Sequence, residues 1–257
     1  MATRTPNKSG RKPGPSAPVK AYLIAYNLLS TAAWGYVLLL TVNHLRTPGA
    51  EGSTLAKKLF WGTSVPAFVP PALAPLYQRA TTAYAAVGDT TKYVQSAALL
   101  EVLHVLLGLV RSPLPTTAMQ VASRLFLVWG VADRFPAAQQ SPFYASMVLS
   151  WAVTEVVRYP FYAASLVGWE PRALLWLRYT TFYVLYITGA SSEAFANLAT
   201  LPRSTDLADW DAYALFRGAM FAIWWPSLYV LYTHMIKLRR KNFSGPGRTL
   251  GAKPKSQ

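Results

Sequence analysis

Long uncharged stretches separated by short polar ones dominate the chain. Residues 21–43 (AYLIAYNLLSTAAWGYVLLLTVN) carry no charge, and their length matches the roughly 20 residues a helix needs to cross the hydrocarbon of a bilayer. Further apolar runs cover about 94–110, 117–132, 143–167, 173–192 and 213–236. The pattern predicts an all-α integral membrane protein, a six-transmembrane-helix bundle over residues 20–236. Residues 59–77 are long enough to span, but Pro66, Pro70, Pro71 and Pro75 would each remove a backbone donor that lipid cannot replace. Residues 44–93 are therefore read as a Pro-rich loop, interfacial or partly folded.

Composition agrees with lipid as the solvent. Of 257 residues 53% are hydrophobic and 14% charged, against roughly 25% charged in soluble domains. The formal net charge of +15 suggests nucleic acid until its distribution is considered. Residues 1–19 form a Pro-, Gly- and Lys-rich tail with no acid, predicted disordered, and 237–257 form a second basic tail, also without an acid. Basic flanks around apolar runs follow the positive-inside rule, so both tails are placed in the cytosol and no nucleic acid is expected. Asp206, Asp209 and Asp211 then fall on the opposite side; Lys57, Lys58, Arg79 and Lys92 run against the rule. The first apolar run is too long for the core of a cleavable leader. Lys253 and Lys255, five and three places from the end, resemble a dilysine retrieval signal of the endoplasmic reticulum membrane.

Ionisable groups inside spans are costly and tend to face the bundle interior. Here they are Glu101, His104, Arg124, Glu155, Arg158, Arg178 and Glu193. Glu155 and Arg158 lie one turn apart and are read as a structural ion pair. His44, His104 and His234 are scattered, so no metal site is predicted. The absence of cysteine removes thiolate chemistry. The run Gly245–Gly251 looks like a dinucleotide loop, but no strand precedes it and no helix follows. Span five has more to offer. Tyr186 and Glu193 are two turns apart on one face, with Gly189, Ala190, Ser191 and Ser192 between them. Those small residues either pack the helix closely against a neighbour or open a groove in which a phenol and a carboxylate act as acid and base.

Several segments resemble the 3-hydroxyacyl-CoA dehydratase family, also called protein tyrosine phosphatase-like proteins. They are Tyr26-Asn27-Leu28-Leu29-Ser30, Gly108-Leu109-Val110-Arg111-Ser112-Pro113-Leu114, Gln120-Val121-Ala122-Ser123-Arg124-Leu125, Thr154-Glu155-Val156-Val157-Arg158-Tyr159 and Tyr186 through Glu193. Arg-Ser-Pro-Leu looks most like fungal members. Ile187 departs from the proline usual after the tyrosine, and the long first loop has no clear counterpart. The resemblance implies removal of water from 3-hydroxyacyl-CoA in (very-)long-chain fatty-acid elongation, without a cofactor. Tyr186 and Glu193 are then the catalytic pair, with Glu193 taking the C2 proton and Tyr186 protonating the C3 hydroxyl, or the reverse. If the nucleotide stays in the cytosol, Arg111, Arg172 and Arg178 are candidates for its phosphates. Convergence of the pair would be easier if the helix were distorted at Gly189. Expected partners are acyl-CoA, membrane lipid and the elongase, ketoreductase and enoyl reductase of the same cycle. A non-catalytic scaffold and a transporter are the alternatives. Phosphatase chemistry is rejected: His104 and Arg111 fit its frame, but Val105 stands where the nucleophilic cysteine is needed.

Overall fold

The computed structural model describes residues 15–48, 65–67 and 69–243; both ends of the chain, with Lys253, Lys255 and Gly245–Gly251, lie outside them. Every regular element among the described residues is helical. Helix α1 (Ala17–Arg46) has a proline in its first turn, where a missing N–H costs nothing, so it starts inside the tail predicted to end at residue 19. A 3₁₀ turn (Pro71–Leu73) and the short α2 (Ala74–Ala80) follow; this part of the refused span is too short to cross a bilayer. Next come α3 (Ala83–Ser96) and α4 (Leu99–Leu106), then α5 (Leu114–Leu125) running into a π-helical turn (Phe126–Ala132). The chain continues through α6 (Pro136–Gln139), α7 (Pro142–Leu166), α8 (Arg172–Arg178), α9 (Phe182–Leu198) and α10 (Ala212–Phe243).

Helix-type hydrogen bonds bridge the turn between α3 and α4 and the turn between α8 and α9. Among the described residues the chain thus forms six continuous columns: 17–46, 83–106, 114–132, 142–166, 172–198 and 212–243. These follow the predicted runs with one clear exception. The second column begins at Ala83, where a loop had been expected up to residue 93. Its first turns carry Asp89 and Lys92, which hid them from a reading based on uncharged runs. Among the described residues only α1 and α10 are, as single helices, long and apolar enough to cross a membrane.

Two columns end alike. Gly108 (φ 69°) and Gly168 (φ 81°) adopt the left-handed conformation that side chains disfavour. Behind them Leu109 N–H donates to His104 O (2.8 Å) and Trp169 N–H to Ala164 O (3.0 Å), closing each helix with a Schellman cap. Helix α7 is the centre of the bundle, with α1 along one side and α9 along the other; α10 packs on α9. The apolar core joins Trp34 and Val37 of α1, Val87 of α3, Leu127 and Val131 of the π turn, and Met147, Val148 and Trp151 of α7. Hydroxyls within helices are spent locally: Thr41 donates to Val37 O (2.7 Å) and Thr154 to Ser150 O (2.8 Å), one turn back along each helix.

Candidate active site

Four charged side chains from three helices form one chain through the bundle. Arg158 donates in a fork to Glu101 (2.8 and 3.0 Å) and through Nε to Glu155 (2.5 Å). Glu155, 1% exposed, also accepts from Arg124 (2.5 Å). Tyr159 donates to Glu101 (2.5 Å). The predicted Glu155/Arg158 pair is present, but it is the middle of a longer arrangement in which two acids offset two cations. Helical spacing explains why α7 supplies so much of it: 151, 155 and 158 share one face.

That face leads to Glu193. The Arg124 guanidinium lies 4.9 Å from the centre of the Trp151 ring, and Trp151 Nε1 donates to Glu193 Oε1 (2.6 Å). Trp224, on α10, donates to Glu193 Oε2 (2.9 Å). Both carboxylate oxygens are therefore held by neutral indole N–H groups, and no cation lies within ion-pair distance of Glu193 among the described residues. Tyr186 projects from the same helix toward the same interior. It feels the charges of Arg124, Arg178, Glu155 and Arg158, and its ring meets Phe182 edge-on at 6.1 Å. No hydrogen bond joins it to Glu193 among the described residues.

The small residues between them pack rather than open. Helix α9 is unbroken from Phe182 to Leu198, so a distortion at Gly189 is not there to ease convergence of the pair; the irregularity sits earlier, at Tyr179–Thr181. Gly189 is buried, and a Cβ there would come within 3.3 Å of Ser150 Cβ. Ser192 donates to Ser146 (2.8 Å) and Thr188 pairs with Ser150 (3.0 Å). These residues let α9 approach α7 closely enough to seat Glu193 against Trp151.

A cavity of about 390 Å³ lies between α1, α4, α5 and α7. Glu101, His104, Arg158, Tyr159 and Tyr162 form its inner wall, and Arg111 belongs to its lining. Tyr186 and Glu193 do not. The three arginines proposed for phosphates are thus separated: Arg111 lines the cavity, Arg172 is exposed on the first turn of α8, and Arg178 is packed among rings. Arg178 sits 4.8 Å from Phe161 and 4.6 Å from Tyr162, donating to the Tyr162 hydroxyl (3.0 Å). Glu101 and His104 have the Glu-x-x-His spacing of some metal-binding bundles. Here Glu101 is held by Arg158 and Tyr159, His104 Nε2 is paired with the Tyr22 hydroxyl (2.9 Å), and no metal-type cluster occurs among the described residues.

Residues 95–245 match the family model described as protein tyrosine phosphatase-like protein, PTPLA. The chain belongs to this family. Among curated members of the PTPLA family, a probable very-long-chain (3R)-3-hydroxyacyl-CoA dehydratase of Schizosaccharomyces pombe is 38% identical over 86% of this chain and 91% of its own. A very-long-chain (3R)-3-hydroxyacyl-CoA dehydratase of Caenorhabditis elegans is 37% identical, covering 88% of this chain and 96% of its own. Very-long-chain (3R)-3-hydroxyacyl-CoA dehydratase 2 of Homo sapiens is 33% identical, covering 87% and 81%. No solved structure matches the chain. The phosphatase in the PTPLA name has no counterpart in these residues: Val105 lines the cavity with Arg111, and the chain has no cysteine.

Sequence reasoning missed the two indoles. Trp151 was within reach, four residues before Glu155 on one helix face. Trp224 was not, because nothing local relates it to a carboxylate 31 residues earlier.

Proposed function

We propose that this PTPLA-family chain dehydrates 3-hydroxyacyl-CoA to trans-2-enoyl-CoA in very-long-chain fatty-acid elongation. The environment of Glu193 is the observation that carries the assignment of residues. With both oxygens held by neutral donors and no cation paired with it among the described residues, Glu193 stands outside the ion-pair chain, whereas Glu101 and Glu155 are committed to arginines. Glu193 removes a proton from C2. The C3–O bond breaks as Tyr186 donates its proton to the departing hydroxyl, and water leaves from the new double bond. The next turnover requires the proton on Glu193 to return to Tyr186 or exchange with solvent. No redox change occurs, so no electron carrier is needed.

The six columns serve as six membrane spans in this reading. Support comes from the large apolar side chains that face outward, Leu29 and Leu107 at 70% exposure and Tyr229 at 71% among them, where lipid would cover them. An even number of spans puts both termini on one side, the cytosol, with the loop between α9 and α10 in the lumen of the endoplasmic reticulum. The chain then works beside the elongase, ketoreductase and enoyl reductase that make its substrate and use its product.

The test is enoyl-CoA formation from 3-hydroxyacyl-CoA by purified protein in detergent. Tyr186→Phe and Glu193→Gln each remove one titrating group while keeping the ring or the chain, and each should lower turnover by about 10²–10⁴-fold at unchanged yield. Near-wild-type turnover in both variants would remove the pair from the mechanism, and absence of product from the wild type would favour a scaffold or a transporter.

A further inference from the structure

The cavity between α1, α4, α5 and α7 has a wall chemistry that selects among the parts of an acyl-CoA. We infer that it receives the pantetheine arm, with Arg111 taking a phosphate at the mouth; this rests on the dehydratase reading. The mouth position follows from the topology. Leu23 and Asn27 come from the first turns of α1, Thr117 from the start of α5, and Ser165 from the last turn of α7. All lie at the end of the bundle where α1 begins and where the glycine caps at Gly108 and Gly168 turn the chain. That end also carries Lys20, Arg172, Lys237 and Arg240, with Glu170 as a lone acid among them, so it attracts an anion from solution.

Inside, the cavity wall mixes apolar and polar groups. Leu23, Val105 and Leu166 alternate with Asn27, Gln120 and Ser165, neutral groups that can donate or accept hydrogen bonds. An acyl chain would leave those groups unpartnered, at a cost of a polar group buried without a mate. A nucleotide would need several cations, and the fork of Arg158 is already filled by Glu101 and Glu155. A slender neutral segment with two amides and a phosphate at its outer end fits both parts of the wall. From Ser165 to Arg158 the helix rises about 10 Å, so the arm is carried inward by that distance. It ends at Arg158 and Tyr162, and Tyr162 is backed by Arg178. Arg158 and Arg178 also act on Tyr186, so the inner end of the cavity adjoins the charges that surround the proposed catalytic phenol.

Because the chain lacks cysteine, a single introduced thiol reports on the cavity alone. Full-length Ser165→Cys protein in detergent is treated with a maleimide, with Thr205→Cys on the opposite end as a control. Acetyl-CoA, whose sulfur is blocked, should slow labelling of the Ser165→Cys thiol by about ten-fold or more at saturation and leave the control unchanged. Adding Arg111→Gln should raise the acetyl-CoA concentration needed by about ten-fold. Neither a 3-hydroxy fatty acid nor adenosine 3′,5′-bisphosphate should protect as acetyl-CoA does. Protection by the fatty acid instead, equal protection by the bisphosphate, no protection at all, or a thiol that never labels would each overturn the proposal. Enoyl-CoA formation, assayed on the same preparation, reports separately on the dehydratase reading: turnover without protection sinks the cavity assignment alone, and protection without turnover sinks the reading alone.

Discussion

Replacing Glu155 by glutamine keeps the outline of the side chain and removes one charge from a site that is 1% exposed. The carboxylate accepts from Arg124 and Arg158 at 2.5 Å each. Glutamine offers one oxygen and turns an N–H₂ toward the second guanidinium. Arg158 keeps its fork to Glu101, so the stranded cation is Arg124, not Arg158 as the spacing of residues 155 and 158 implied. Removing one partner of a buried ion pair costs about 3–5 kcal/mol. The Arg124 side chain retains 15% exposure, which lets water or detergent relieve part of this and favours the lower end, about 3 kcal/mol. For a chain of this size that corresponds to a fall of roughly 6–12 °C in Tm. Thermal unfolding in detergent reads the fall, and turnover per folded molecule, measured on the surviving fraction, should change far less. The double variant Arg124→Gln/Glu155→Gln removes the stranded cation and should lose much less than the sum of the single losses. A Tm within about 2 °C of wild type combined with abolished turnover would refute the reasoning and move Glu155 into the chemistry.

Four further outcomes are expected. Trp224→Phe withdraws one N–H from Glu193 while keeping an aromatic ring against Phe126; a lost hydrogen bond to a charged group is worth about 1.5–3 kcal/mol, so kcat should fall by roughly 10–100-fold with KM little changed, and a KM effect alone would contradict it. Gly189→Ala forces a methyl to within 3.3 Å of Ser150 Cβ and should cost about 1–3 kcal/mol of stability, whereas a groove at that place would show unchanged Tm and altered turnover. A glycosylation acceptor engineered into residues 200–210 should be modified in microsomes and one at residue 250 should not; modification at both would break the six-span path. Asp133, just past the third column, is held below the ordinary carboxylate range by its hydrogen bond from Lys92. Its ionised form therefore stabilises the fold at neutral pH, and that contribution is lost as pH falls below about 4; Asp133→Asn should flatten the acid limb of a plot of Tm against pH, and an unchanged limb would count against it.

The order of helices was readable along the chain, because long apolar runs need no tertiary context to be recognised. The start of the second column was not, since Asp89 and Lys92 interrupt its apolar run and are accommodated only by packing and by Asp133, which is 41 residues from Lys92. Tyr186 and Glu193 share a face by helical periodicity alone, and the Glu155/Arg158 pair follows from the same rule. What the small residues around Gly189 do depends on the neighbour they meet, and Ser150 on α7 decided for close packing. The two indoles on Glu193, the third and fourth members of the charge chain and the polar wall of the cavity come from helices far apart in sequence. Local rules reach about one or two turns along a helix; which faces are brought together, and hence which carboxylate is left without a cation, is settled only when the helices pack.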